Sequence, residues 1–151
     1  MFLDRRLGTG TEIPTARNIR EIYYISNGRR LYLRLTSPHE YGENPEDFLE
    51  KARNKMGAGR WCFACALQPN AHNQMPDVVE SVRQFVSSFD PECVRIAFLS
   101  PTRHGVKIED FLLGRDVLSE VLHIPKVEAM CIDARRRGVN GLLLADFFDF
   151  T

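Results

Sequence analysis

Four short, largely apolar stretches are each followed by a polar loop and then by an amphipathic segment. Leu31-Tyr32-Leu33-Arg34-Leu35 and Val94-Arg95-Ile96-Ala97-Phe98 carry the period of two that marks strands, and Cys62-Phe63-Ala64-Cys65-Ala66 and Val127-Glu128-Ala129-Met130-Cys131 are weaker copies. Two of the loops share a pattern. Ser37-Pro38 to Phe48-Leu49 and Ser100-Pro101 to Phe111-Leu112 repeat Ser, Pro, Gly, Glu, Asp, Phe and Leu in the same order and spacing. Strands beginning near residues 31, 62, 94 and 127 therefore predict an α/β fold of repeated strand-loop-helix units of about 32 residues. Right-handed crossovers would make the sheet mostly parallel, with its helices on one side.

Aligning the units places positions 31, 33 and 35 beside 62, 64 and 66, beside 94, 96 and 98, and beside 127, 129 and 131. That column is apolar and should face the core. The alternate column holds Tyr32, Phe63, Arg95 and Glu128, then Arg34, Cys65, Ala97 and Met130. Charges there are hard to bury, so one sheet face is expected to be open.

The helices have readable ends. Asn44-Pro45-Glu46-Asp47 supplies a cap, a first-turn proline and two carboxylates at the positive end of a helix dipole, and Gly57 can close the helix. A second helix is expected from Pro76-Asp77 to Asp90-Pro91, and a third from Ile108 onward. By repeat position, Gly141 to Phe150 should be a closing helix. Ahead of the first unit, residues 19–35 read as a hairpin turning at Asn27-Gly28. A two-residue turn would pair Tyr24 with Leu31, Ile22 with Leu33 and Tyr23 with Tyr32. Residues 1–17 are expected to form a flexible arm, and residues 18–151 a single α/β domain.

The Leu31, Leu33, Leu35 column and segments such as Leu118 to Ile132 give residues 31–145 a general resemblance to leucine-rich-repeat-like βα arrays. Such arrays form the substrate-binding regions of F-box proteins. The unit is longer than the usual leucine-rich repeat and lacks its inward asparagine. The resemblance implies a partner-binding scaffold without catalytic residues.

Charge narrows the functions little. Twenty basic and twenty acidic side chains cancel, so no global field draws in nucleic acid or an anionic membrane. No apolar run approaches the roughly 20 residues needed to span a bilayer. Four cysteines in or beside strands read as reduced thiols, and with no secretory segment in sight an intracellular protein is expected.

Candidate chemistry lies mainly in the loops after the strands. Tyr41, His72, His104 and Arg137 occupy one aligned loop position, with Arg103 and Arg135 beside them. They would converge on the carboxyl rim of the sheet, near helix N-termini, where an anion or an acidic segment could bind. Tyr32, Arg34 and Arg95 would lie on the open face. Trp61-Cys62-Phe63-Ala64-Cys65 has the spacing of a redox motif but falls within a strand, so its thiols should point to opposite faces. Tyr23 and Tyr32 with Arg30 and Arg34 could stack RNA bases, which the neutral overall charge disfavours. No phosphate loop, nucleophile elbow or metal-ligand spacing occurs, and no cofactor is expected.

The leading expectation is a non-enzymatic protein-interaction module that presents its sheet face and His/Arg rim to a protein. A phosphate- or anion-binding α/β domain, as a simple binder or as an enzyme, is the alternative, followed by an RNA-binding domain. Self-association through Leu142 to Phe150 would cover the apolar tail.

Overall fold

A computed structural model describes residues 22–25, 28–34, 36–101, 105–107 and 115–149. The expected arm at 1–17 and the expected start of the third helix at Ile108 lie outside these residues. The fold is mixed α/β. Among the described residues it comprises β1 (Ile22–Tyr24), β2 (Arg30–Arg34), α1 (Pro38–Tyr41), α2 (Pro45–Met56), β3 (Trp61–Cys65) and α3 (Val78–Phe89). Then follow β4 (Val94–Ser100), α4 (Val117–Leu122), β5 (Val127–Asp133) and α5 (Arg137–Phe147). No helix among the described residues is long and apolar enough to cross a membrane.

The strands form two sheets, β1-β2-β3 and β4-β5, rather than one array. The described chain correspondingly divides into two compact units, 22–81 and 82–149, with the division inside α3. Both βα pairings are parallel, and both keep the register that the repeat alignment predicts. Leu31 lies beside Cys62 and Leu33 beside Ala64; Val94 lies beside Val127, Ile96 beside Ala129 and Phe98 beside Cys131.

The hairpin departs from expectation by one residue. Ile22 pairs with Tyr32, Tyr23 with Leu31 and Tyr24 with Arg30. The Ile25 N–H donates to the Arg29 carbonyl at 3.0 Å, so three residues, not two, make the turn. Gly28 ends that turn at φ +68°, the left-handed conformation that a three-residue hairpin loop requires. A one-residue slip exchanges the faces of a strand. Tyr23 accordingly enters the core beside Leu31, and Tyr24 turns outward.

In the first unit β2 is buried on both faces. Leu31 and Leu33 are sealed on one side and Tyr32 on the other. The second side is covered by α2. Phe48 packs on Phe63 with ring centres 5.9 Å apart, and Phe63 stacks on Tyr32 at 5.2 Å. α2 sits there because its ends are fixed. Asn44 Oδ1 accepts the Asp47 N–H at 2.8 Å, Pro45 opens the first turn, and the Gly57 N–H closes the last on the Arg53 carbonyl. Its stripe of Phe48, Ala52 and Met56 is buried. Before α2, Ser37-Pro38 starts a further short helix in what the sequence suggests is loop: Ser37 caps α1 and Gly42 ends it at φ +64°.

In the second unit, Asp116 Oδ1 caps α4 through the Ser119 N–H at 3.0 Å, and Val117 and Val121 are its buried pair. Val82, Phe98, Ile124, Ile132 and Leu144 complete the buried apolar set among the described residues of this unit. Leu144 places the apolar tail, expected to be helical, at least partly in the core.

Candidate functional site

The carboxyl rim of the first sheet is organised by a histidine. His39, on α1, is fully buried. Its Nε2 lies 2.8 Å from the Pro76 carbonyl, which can only accept, so Nε2 carries the proton. Nδ1 is then the acceptor, facing the Ser37 hydroxyl at 3.1 Å and the Gln68 N–H at 3.5 Å. Asn73 Nδ2 donates to the His39 carbonyl at 2.7 Å. One neutral ring thus ties together the loops after β2 and β3 and the approach to α3. Burial lowers its pKa below the ordinary 6.5, against the Pro76 hydrogen bond, and the nearby His72 lowers it further.

Tyr41 and His72, expected on this rim, are both exposed there. His72 is held by its backbone, exchanging two 3.1 Å hydrogen bonds with Met75. The rim therefore combines an exposed Tyr and an exposed His with a His that is sealed from solvent.

On the rim of the second sheet, Asp133 at the end of β5 collects the basic residues. Arg135 donates to it from its backbone N–H at 3.0 Å and from Nε and Nη2 at 2.9 and 3.1 Å. Arg136 approaches within 3.9 Å. The hydrogen bonds from Arg135 hold the Asp133 carboxyl below its usual range. Asn140 Nδ2 donates to the Asp133 carbonyl at 2.8 Å and ties the start of α5 to the strand end. Arg137 is the first residue of α5. Arg103 and His104 lie outside the described residues.

The open face predicted from Tyr32 and Arg34 is closed in the first unit. Tyr32 lies under the aromatic stack. The Arg34 side chain is 12% exposed, lies 5.5 Å from the Phe48 ring and reaches Glu43 at 2.8 Å, itself 11% exposed. Lys51 of α2 reaches the other Glu43 oxygen, also at 2.8 Å. Burial alone would raise the Glu43 carboxyl, but Lys51 and Arg34 together hold it below the ordinary 4.5. The contact from Arg34 to Glu43 Oε2 has ion-pair distance without hydrogen-bond alignment. The expectation fails because the partner of Arg34 lies outside the strands, in the segment that follows α1. Arg95 fits it better. It stays partly exposed on β4, beside Glu128 of β5 at 2.9 Å.

Cys62 and Cys65 lie within β3, and no disulfide joins the four cysteines. Burial pushes the Cys65 thiol up to about 12, the reverse of what a redox nucleophile needs. No cluster of metal-binding side chains occurs among the described residues.

One constellation is invisible before the hairpin register is known. Tyr24, Arg30 and Trp61 are direct neighbours across β1, β2 and β3 and so share a face. The Arg30 guanidinium lies over the Trp61 ring, 4.1 Å from its centre, and donates to the Ala58 carbonyl. Gly59 makes room for it: at φ +112°, a Cβ there would stand 2.7 Å from Arg30 Nη2. No protein-family model, no curated protein and no solved structure matches the chain.

Proposed function

We propose that the chain is a non-enzymatic protein-interaction module and that its second unit offers the contact surface. The carrying observation is the exposed ridge of Leu118 and Leu122, one turn apart on α4, at 36% and 49% exposure beside the buried Val117 and Val121. Leu99, Val106 and Leu143 of the same unit are also exposed. Adjacent exposed leucines on one helix face offer an apolar surface that another protein could cover.

The reading of the chain as repeated βα units with helices on one side draws support from two features. These are the two parallel pairs and the agreement of their registers with the repeat alignment. In such an array Arg95 and Glu128 would be exposed polar positions at the contact. An intracellular setting accords with four cysteines outside any disulfide. Anion binding at the His/Arg rim ranks second, because Asp133 already engages Arg135 and Arg136. Self-association through the tail is a narrower proposal, since Leu144 is buried and Leu143 is exposed.

The test is affinity enrichment with crosslinking of the full chain beside a Leu118→Ser/Leu122→Ser variant. Loss of the crosslinks on α4, with melting temperature and circular dichroism unchanged, is the expected result. Retention of every crosslinked partner would remove the ridge from the proposal.

A further inference from the structure

The Tyr24, Arg30, Trp61 row lies in the first unit, away from the ridge in sequence and independent of its role. Three properties distinguish it. It is accessible at one end: Tyr24 is 71% exposed, while Arg30 and Trp61 are half-buried. It is fixed, because the Arg30 N–H donates to the Arg60 carbonyl at 3.0 Å, its guanidinium bonds Ala58, and Gly59 opens space for it. It is also locally basic in a chain of zero net charge. Segments 22–30 and 53–61 contain Arg29, Arg30, Arg53, Lys55 and Arg60 and no Asp or Glu. Gly57 to Arg60, directly before Trp61, are all exposed.

We propose that this row is a stacking site for a single-stranded nucleic acid, with bases lying on the Tyr24 ring and on the outer face of the Arg30 guanidinium. Aromatic rings and guanidinium planes both accept unstacked bases. Neighbouring strands lie about 4.8 Å apart, so the row spans about 10 Å, room for roughly two bases. Lys55 and Arg60 supply charge for the backbone phosphates that such bases bring with them. A duplex hides its base faces and has nothing to offer the row. The site differs from the platform suggested by sequence, whose Tyr23 and Tyr32 are both buried. Neutral overall charge does not oppose it, because screening limits the relevant field to about 8–10 Å at ordinary salt.

Trp61 is the chain's one tryptophan and reports directly on the row. The experiment titrates its fluorescence in the full chain with a twelve-residue oligothymidylate, an abasic oligomer of equal length, and heparin. The expected result is saturable quenching by oligothymidylate that weakens with salt. Tyr24→Ala should weaken it by roughly fivefold or more, the scale of one lost base stack. Arg30→Lys, which keeps the charge and loses the plane, should also weaken it. Lys55→Glu/Arg60→Glu should flatten the salt dependence by about 0.7 in log–log slope for each phosphate no longer neutralised. Equal affinity for the abasic oligomer or heparin, unaffected by Tyr24→Ala, would assign a plain polyanion surface and overturn the proposal. So would the absence of quenching at low salt. Tyr24 is exposed, so the decisive variant does not depend on the folding of the others.

Discussion

The two units use the same local grammar, a strand, a helix and a parallel strand, and finish it differently. In the first, β2 has a strand on each side and burial on both faces, and Arg34, one of its two arginines, pairs with Glu43. In the second, β4 and β5 pair only with each other among the described residues, and the cross-strand pair Arg95–Glu128 stays near solvent. The first unit buries Arg34 with Glu43 and seals His39 among hydrogen-bond partners, whereas the second leaves leucines outside. A strand pattern thus sets pairing and register, while the completeness of a layer depends on what covers it. On the function proposed above, that difference would direct a partner to the second unit rather than to the first.

The sharpest way to break this comparison is to remove Arg34. Arg34→Ala strands the Glu43 carboxylate in a largely buried site with Lys51 alone, and should cost about 3 kcal/mol or more by urea denaturation. A cost below about 1 kcal/mol would show that the pair behaves as a surface bridge and that the first unit is no more closed than the second.

His39→Ala comes next. It leaves the Ser37 hydroxyl, the Gln68 N–H and the Pro76 carbonyl without their shared partner, for an expected loss of about 2–3 kcal/mol. It also sharpens the comparison through pH. The folded pKa of His39 is lowered, so the unfolded chain binds its proton first on acidification. Its contribution is therefore fully present above 6.5 and is lost as pH falls toward the lowered folded value. The Glu43 contribution has the same sign, present above 4.5 and lost as pH falls through its depressed folded value. Hydrogen exchange followed from pH 7.5 to 5 should show first-unit amides losing protection in the native chain, a loss that His39→Ala removes from the upper part of that range.

The smallest expected effect is on the other side. Leu118→Ser with Leu122→Ser should move the melting free energy by no more than about 0.5 kcal/mol per site, as exposed positions do. A large loss would place the ridge in the core and erase the contrast.

Much of this was legible in the residues. Asn44, Pro45 and Gly57 fix α2 by local hydrogen bonds, and local bonds are written in local sequence. Strand starts and parallel register followed from the repeat because side chains on parallel neighbours advance in step. The hairpin register did not follow, since Asn27-Gly28 suits a two-residue turn as well as the three-residue one that Gly28 closes. Neither did the burial of Arg34, His39 and Tyr32. Their partners Glu43, Pro76 and Phe63 come from other segments, and alternation alone cannot distinguish a covered polar column from a bare one. The Tyr24 row stayed hidden for the first of these reasons.

The placement of the thiols turns the chain into its own conformational recorder. Cys93 and Cys131 are exposed and belong to the second unit, while Cys62 and Cys65 lie within β3 of the first, the latter with its thiol raised to about 12. Brief alkylation of the native chain should therefore mark the second unit and spare Cys65 until the first unit opens. Counting adducts by mass would then time the opening of the first unit against thiols that react from the start, with no engineered label and no antibody.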